Sequence, residues 1–204
     1  MSSFVTILIT KVCAVRFDEW RARYDTLTFH EHQQINAEWA IQYPHQRSFD
    51  TDAVASFLGE HQPGSVVELG GWDGALAAEM LYRFPVVETW VNYDITPNVP
   101  QVCADTRYER VVLDDWAWNR EARADVLIAS HVFEHMRAGQ IRLLLDRWDI
   151  DSVYVDAPVN GGVWDGYHGS HILELDQAGL VALVESCGFT ARSVMPGVIA
   201  TFSR

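Results

Sequence analysis

Residues 66–80, which read VVELGGWDGALAAEM, decide the fold of this chain. A short apolar run closes on Glu68, a glycine cluster follows, and apolar residues then recur at helical spacing, so the pattern predicts a strand, a tight turn and a helix. Glycine lets the backbone turn sharply and approach a ligand without a Cβ between them. Free N–H groups at the start of the helix would point into the same space. The stretch therefore predicts a ligand-binding turn at the carboxyl end of a strand in an α/β sheet.

The composition predicts one soluble globular domain over residues 1–204, with a helical extension at 1–62 and a ligand-binding core at 63–204. The hydrophobic content of 49% and the charged content of 21% are typical of such a domain. A formal net charge of −13 argues against a nucleic-acid partner and favours cationic ligands. The three cysteines form no close pair, which fits a reducing cytoplasm. The sequence contains no uninterrupted apolar run of about 18 residues, so no membrane-spanning helix is predicted.

Upstream of the glycine turn the pattern is helical. Residues 17–43 carry aromatic and aliphatic side chains at helical spacing, which predicts two helices that pack against the core rather than close over the site. Asp50 is placed to cap a helix over residues 51–61.

Downstream, apolar runs predict strands at 88–93, 110–113, 124–129, 152–155, 189–194 and 198–203, and helices at 136–148 and 176–187. Pro97 and Pro100 exclude a long helix after the second strand. The spacer between the last two strands is too short for a parallel crossover, so the final strand must run antiparallel. The fold class is α/β: a mostly parallel sheet with helices on both faces and a closing antiparallel hairpin.

The glycine spacing does not fit a nicotinamide-binding turn, which requires G-x-G-x-x-G. Starting at Gly70 places Trp72 and Ala75 where the second and third glycines belong. A phosphate-binding turn with Gly-Lys-Ser/Thr is also absent from the sequence.

A set of motifs resembles the class I S-adenosylmethionine-dependent methyltransferases over residues 65–204. The set consists of Glu68-x-Gly70-x-x-x-Gly74, Asp94, Asp114-Asp115 and Ser130-His131-Val132-Phe133-Glu134-His135. The resemblance implies a Rossmann-like enzyme that transfers a methyl group from S-adenosyl-L-methionine to an acceptor and releases S-adenosyl-L-homocysteine. The negative charge and the compact size favour a small molecule as that acceptor over nucleic acid. An oxygen or nitrogen acceptor is expected in preference to a carbon acceptor.

Carried over by position, the resemblance implies the cofactor-binding residues. The turn of Gly70, Gly71, Trp72 and Gly74 would lie under the methionine and ribose, with Glu68 at the ammonium end. Asp94 would accept hydrogen bonds from the ribose hydroxyls. Asp114 or Asp115 would meet the adenine amino group and Trp116 would stack on the base, while Ile95 and Ser130 complete the set. This chain departs from the family at Trp72, where a glycine is common, and in the missing helix after Asp94.

Three histidines are candidates for a catalytic base, which methyl transfer needs only if the acceptor carries a proton. His131 follows the fourth strand. His168 and His171 lie in a glycine-rich loop after the fifth strand, with Trp164 and Tyr167 as expected substrate contacts. Each of the three histidines could instead have a structural role.

Two other functions are weighed. His131-x-x-Glu134-His135 matches an inverted zinc-hydrolase pattern, but that site needs His131 inside a helix and here it follows a strand. We therefore predict no metal. A cofactor-binding domain without turnover is the other alternative.

Overall fold

The computed structural model describes residues 24–42, 49–157, 172–173, 175–194 and 199–204. Within them, seven strands form one sheet in the order β3-β2-β1-β4-β5-β7-β6. The strands are β1 (Ser65–Leu69), β2 (Thr89–Asp94), β3 (Tyr108–Val112), β4 (Arg123–Ser130), β5 (Asp149–Asp156), β6 (Thr190–Val194) and β7 (Ile199–Ser203). The first five are parallel, and β7 runs antiparallel to both β5 and β6. The predicted sheet and its closing antiparallel hairpin are confirmed.

The described helices are α1 (Phe29–Gln42), α2 (Thr51–His61), α3 (Ala75–Arg83), α4 (Ala138–Arg147) and α5 (Gln177–Ser186). Two of them begin as predicted. The Asp50 carboxylate accepts N–H groups of Asp52 and Ala53 at 3.1 and 3.0 Å, and that of Asp176 accepts the N–H of Gly179 at 2.8 Å. These side chains satisfy donors that have no partner within the helix.

Of the two helices predicted over residues 17–43, the second is present as α1. Residues 17–23, where most of the first would lie, are outside the described residues, and Tyr24–Thr26 form a single-turn 3-10 helix. Thr28 starts α1 because it exchanges hydrogen bonds with Glu31: the Thr28 N–H donates to Glu31 Oε2 at 2.8 Å, and the Glu31 N–H donates to Thr28 Oγ1 at 3.2 Å. This reciprocal cap is a local signal that the helical spacing alone did not reveal.

The connection from β2 to β3 contains no helix, as the two prolines predict. Arg107 connects this irregular segment to α3 and to the residues ahead of β2. Its guanidinium donates to the carbonyls of Leu81 and Val87 at 2.8 Å each and pairs with Asp105 at 2.7 Å.

Side chains from both faces of the sheet are buried, as expected for strands covered on each side. On β1, Val67 and Leu69 belong to the cluster under α4 and α5, whereas Val66 belongs to the cluster under α2 and α3. Because β1, β2, β4 and β5 run parallel, their carboxyl ends lie at one edge of the sheet, where loops are free to form a site. None of the helices in the described ranges has the length and apolar character needed to cross a membrane.

Candidate functional site

The turn after β1 is built from three left-handed residues at alternate positions. Gly70, Trp72 and Gly74 have φ values of 75°, 52° and 79°. Glycine adopts this conformation at little cost, whereas a side chain as large as that of Trp72 is strained there. The backbone of Trp72 thus takes the glycine-like conformation at the position where the resembled family often has glycine.

Strand β2 holds this turn through three consecutive N–H groups. The Gly70 N–H donates to the Tyr93 carbonyl at 2.8 Å, that of Gly71 to Asn92 Oδ1 at 2.9 Å, and that of Trp72 to Asp94 Oδ2 at 2.8 Å. No role was predicted for Asn92 from the sequence, although a polar residue within an otherwise half-apolar strand indicates a specific hydrogen bond. Asn92 also donates to the hydroxyl of Tyr108 at 3.0 Å.

Glu68 lies beneath the turn rather than on its open side. Its Oε2 accepts the indole N–H of Trp90 at 2.8 Å. A Cβ on Gly71 would lie only 2.3 Å from the carboxyl carbon of Glu68. The predicted contact of Glu68 with the ammonium end of a cofactor is therefore revised, because this carboxylate supports the turn from inside the core.

Asp94 ends β2, as predicted, and is only 3% exposed. Besides the N–H of Trp72 it accepts the N–H of Thr96 at 2.6 Å through Oδ1, and Arg110 lies 3.7 Å from that same oxygen. Each carboxylate oxygen has two lone pairs, so Asp94 keeps acceptor capacity for a ligand hydroxyl. Ile95, directly after it, is half-buried.

The residues predicted around adenine lie after β3. Asp114 is exposed and forms an ion pair with Arg120. Asp115 accepts the N–H of Trp116 at 2.7 Å. The Trp116 ring stacks on Trp118 with centroids 4.7 Å apart and an angle of 13° between the planes. An aromatic surface is thus present at the predicted place, and one face of it is covered by the protein.

Helix α1 packs over this aromatic pair. Phe29 and His32 each meet Trp116 edge-on, with centroid distances of 5.2 and 4.9 Å, and Gln33 donates to the Leu113 carbonyl at 3.2 Å. Phe29 also packs against the main core cluster, so α1 packs against the core as expected, next to the residues that follow β3.

His131 follows directly on β4 and has a φ of 54°. Its Nδ1 is 3.3 Å from Glu134 Oε1, and its Nε2 is 3.9 Å from Asp156 Oδ2. Burial alone would lower the pKa of His131. The hydrogen bond and charge of Glu134, together with the charge of Asp156, outweigh burial and raise that pKa above its ordinary value.

The loop that carries His131 adjoins the glycine turn. A Cβ on Gly70 would lie 2.5 Å from a methyl group of Val132, so the residue after His131 touches the turn. His131 also lines an open pocket of about 560 Å³. The other described residues that line it are Phe49, Asp50, Thr51, Asp52 and Asp156. The loop of His131 and Val132 therefore adjoins both the predicted cofactor turn and a pocket. Ser130, the last residue of β4, donates to Asp156 Oδ2 at 3.4 Å.

The zinc-hydrolase pattern lacks its required geometry. His131 lies in a left-handed turn, and only Phe133–His135 form a single 3-10 turn. Among the described residues, no group of three or more His, Cys, Asp or Glu side chains is arranged to hold a metal ion. Trp164, Tyr167, His168 and His171 lie outside the described residues.

No protein-family model matches the chain, and no curated protein matches it in sequence. Solved structures do match it. An O-methyltransferase from neocarzinostatin biosynthesis (NcsB1), in complex with S-adenosylmethionine and 2-hydroxy-5-methyl naphthoic acid, is 18% identical with a TM-score of 0.66, and the match covers 95% of this chain and 68% of that one.

Two further structures show the range of the likeness. Magnesium protoporphyrin IX methyltransferase (ChlM) from Synechocystis PCC 6803, with bound S-adenosylhomocysteine, is 16% identical with a TM-score of 0.58 over 98% of this chain and 99% of that one. The pyocyanin biosynthetic protein PhzM is 16% identical with a TM-score of 0.60 over 76% of this chain. The match spans 54% of PhzM, about half of its length.

The strand order, the left-handed turn after β1 and these structural matches together identify the fold. The chain has the Rossmann-like fold of the class I S-adenosylmethionine-dependent methyltransferases.

Proposed function

We propose that this protein is an S-adenosyl-L-methionine-dependent methyltransferase that acts on an oxygen or nitrogen of a small molecule. The observation that carries the proposal is the turn at Gly70–Gly74, with its three left-handed residues at the carboxyl end of β1 in a sheet of this order. That backbone conformation brings the main chain close to a ligand at the edge where α/β sheets bind them. The structural relatives with bound S-adenosylmethionine or S-adenosylhomocysteine support the same assignment.

The residues around the turn have the chemistry that this cofactor requires. A ribose diol needs acceptors, and Asp94 retains lone pairs beside the turn. Asp114 or Asp115 offers an acceptor for the adenine amino group, and Trp116 offers an aromatic surface. Glu68 would act indirectly by holding Gly71 in place. Ile95 directly follows β2, and Ser130 is the last residue of β4.

Methyl transfer needs a general base if the substrate atom to be methylated belongs to a hydroxyl or to a protonated nitrogen. When bound, S-adenosylmethionine supplies a methyl carbon that forms a bond with the acceptor's lone pair, while the electrons of the broken carbon–sulfur bond stay on sulfur. His131 lies beside the turn and would take the acceptor's proton on its ring nitrogen. Glu134 would then stabilise the imidazolium, because a nearby carboxylate favours the charged form.

The acceptor is proposed to be a small molecule. The net charge of −13 disfavours a polyanionic substrate. NcsB1 is seen with a naphthoic acid, and an open pocket lies next to His131. The segment that contains Trp164, Tyr167, His168 and His171 is proposed as a further wall of this pocket.

The division of residues 1–204 into an extension and a core, and the cytoplasmic location, remain predictions.

Calorimetry tests the cofactor. We expect binding of both S-adenosylmethionine and S-adenosylhomocysteine, and none of NAD. Absence of heat with both sulfur nucleosides would refute the proposal.

Transfer of a radiolabelled methyl group to any compound of a small-molecule library would separate an enzyme from a cofactor-binding domain without turnover. Activity that is lost on chelation and restored by zinc would favour the metal-dependent alternative instead.

A further inference from the structure

We propose that Asn92 is a positioning residue for the cofactor: its buried amide holds Gly71 directly, and Gly74 through Tyr108, in the arrangement that binds the sulfur nucleoside. This inference rests on the proposed function and assigns a further residue to the same site. Asn92 lies on β2, between β1 and β3 in the sheet, and is 0% exposed. Because it is fully buried, its effect on a ligand must pass through the turn.

The orientation of the Asn92 amide is fixed by the chemistry of its partners. Its Oδ1 accepts the N–H of Gly71 at 2.9 Å, and its Nδ2 donates to the hydroxyl of Tyr108 at 3.0 Å and, more weakly, to the carbonyl of Trp72 at 3.5 Å. Gly71 needs an acceptor and the Trp72 carbonyl needs a donor, and a neutral amide carries both. An ionised carboxylate would satisfy only the first of these two groups, and an apolar side chain would satisfy neither.

Tyr108 extends this contact to the far end of the turn. It is almost fully buried, and a Cβ on Gly74 would lie only 2.6 Å from its hydroxyl oxygen. Gly74 precedes the first residue of α3 and has a φ of 79°, so the hydroxyl lies against the backbone where the turn enters the helix. One buried amide therefore connects the start of the turn at Gly71 with its end at Gly74.

The register of the sheet brings Asn92 to this place. Asn92 lies opposite Glu68 on β1 and opposite Arg110 on β3, and Tyr108 precedes Arg110 by two residues. Residues two apart on a strand point to the same face, so Asn92 and Tyr108 are diagonal neighbours beneath the turn. Glu68 meets Gly71 there by close contact, whereas Asn92 bonds to the backbone of Gly71.

The turn needs such support because part of it is strained. Trp72, directly after Gly71, has a φ of 52°, a conformation that persists only where the surroundings enforce it. A turn that already has its binding conformation loses little freedom when the ligand arrives. If the Gly71 N–H lost its acceptor, the turn would relax and this advantage would be lost. The bonds of Asn92 should therefore contribute to the affinity for the cofactor as well as to the stability of the fold.

Two variants test the inference by calorimetry with S-adenosylhomocysteine. Asn92→Leu replaces the amide by an apolar group of similar size and should weaken binding by about tenfold or more, the effect of one buried group left without its hydrogen bond. Tyr108→Phe removes only the hydroxyl and should weaken binding by about threefold or more. The double variant should lose less affinity than the product of the two single losses, because both residues act through one network.

Controls separate this role from a general loss of stability. Tyr154→Phe also removes a buried tyrosine hydroxyl, one with no hydrogen-bond partner among the described residues, and should leave the affinity unchanged. Ile150→Val and Ile150→Ala shorten a fully buried side chain near the amino end of β5, far from the turn, and should lower stability in two steps without weakening the cofactor. Urea unfolding ranks the stability of all variants.

Hydrogen exchange of the Gly71 amide reports on the proposed bond itself. In Asn92→Leu this amide should exchange about tenfold faster or more, while the amides of β5 change only by the amount that the lower global stability requires. In the Ile150 variants, the Gly71 amide should change by no more than that global amount.

The outcomes are distinct. If folded Asn92→Leu binds S-adenosylhomocysteine as tightly as the wild type, or if an Ile150 variant of equal stability loses as much affinity, the inference is wrong while the proposed function stands. If Asn92→Leu does not fold, Tyr108→Phe decides, and an affinity equal to that of Tyr154→Phe overturns the inference. If the wild type does not bind S-adenosylhomocysteine, the proposed function falls and the inference falls with it.

Discussion

The indole N–H of Trp90 donates to Oε2 of Glu68 across 2.8 Å, and both side chains are buried. This contact fixes the carboxylate directly under Gly71. Burial raises the pKa of Glu68 to about 7; the Trp90 hydrogen bond opposes the shift, and the charges of Asp94 and Asp73 add to it. The acid at the end of β1 is therefore a titrating group inside the core.

Glu68 should make the protein less stable as the pH rises. The unfolded carboxyl releases its proton near pH 4.5 and the folded one near pH 7, so the folded state holds more protons in that window and loses stability across it. At about 1.4 kcal/mol per pKa unit, the loss is roughly 3 kcal/mol. Glu68→Gln cannot ionise and still accepts from Trp90. Urea unfolding should show the variant gaining on the wild type between about pH 5 and about pH 8. A constant difference across that range would contradict the assigned pKa.

Gly71→Ala should destabilise the fold, because the new Cβ would meet the Glu68 carboxyl at 2.3 Å and that side chain is held by Trp90. Overpacking of this kind costs about 1–3 kcal/mol. Gly139→Ala is the matched control: it lies near the start of α4 with no atom within 4 Å of the added Cβ, and should be neutral or stabilising by up to about 1 kcal/mol. Urea unfolding of both variants makes the comparison. Equal effects would show that the space under Gly71 is not tight.

Asp94→Asn should weaken S-adenosylhomocysteine binding by about tenfold or more, since it removes a charged acceptor beside the turn. It should also lower the free energy of unfolding by about 1–3 kcal/mol, because one of the N–H groups of Trp72 and Thr96 loses its acceptor.

Asp125→Asn serves as the control for Asp94→Asn. Asp125 also accepts two backbone N–H groups, from Gly64 and Ser65 at 2.7 and 2.9 Å, but at the opposite edge of the sheet. It should leave the calorimetric affinity unchanged. Unchanged affinity in folded Asp94→Asn would remove Asp94 from the site.

Glu134→Gln should lower the pKa of His131, since the hydrogen bond and charge of Glu134 are what raise it against burial. The stability that the protonated pair contributes is present below the ordinary histidine value of 6.5 and is lost as the pH rises through the higher folded-state pKa. NMR titration of the imidazole measures the shift directly. If His131 is the base, the midpoint of the rate against pH should move down with it. Asp149→Asn, at the far end of β5, should leave the titration curve in place.

The local elements could be predicted from the sequence because their causes are local. The apolar run, glycine cluster and helical spacing of residues 66–80 specify β1, the turn and α3. Asp50 and Asp176 mark two helix starts through bonds to residues two or three positions away. The short spacer before β7 allows only an antiparallel return. The Thr28–Glu31 cap was equally local and was overlooked.

Only the tertiary structure decided which side chains meet. Glu68 and Trp90 are 22 residues apart, and they become diagonal neighbours on one face of the sheet because β1 and β2 pair with Val66 opposite Trp90 and Glu68 opposite Asn92. A shift of that register by one residue would turn every side chain to the other face of the sheet, and local periodicity does not fix it. The same holds for the pocket, where Asp50 and Asp156 come from elements a hundred residues apart in the chain. The sequence thus determined the strand, the turn and the order of elements, whereas the packing of distant strands determined that Glu68 supports the turn and that Asp156 faces a pocket.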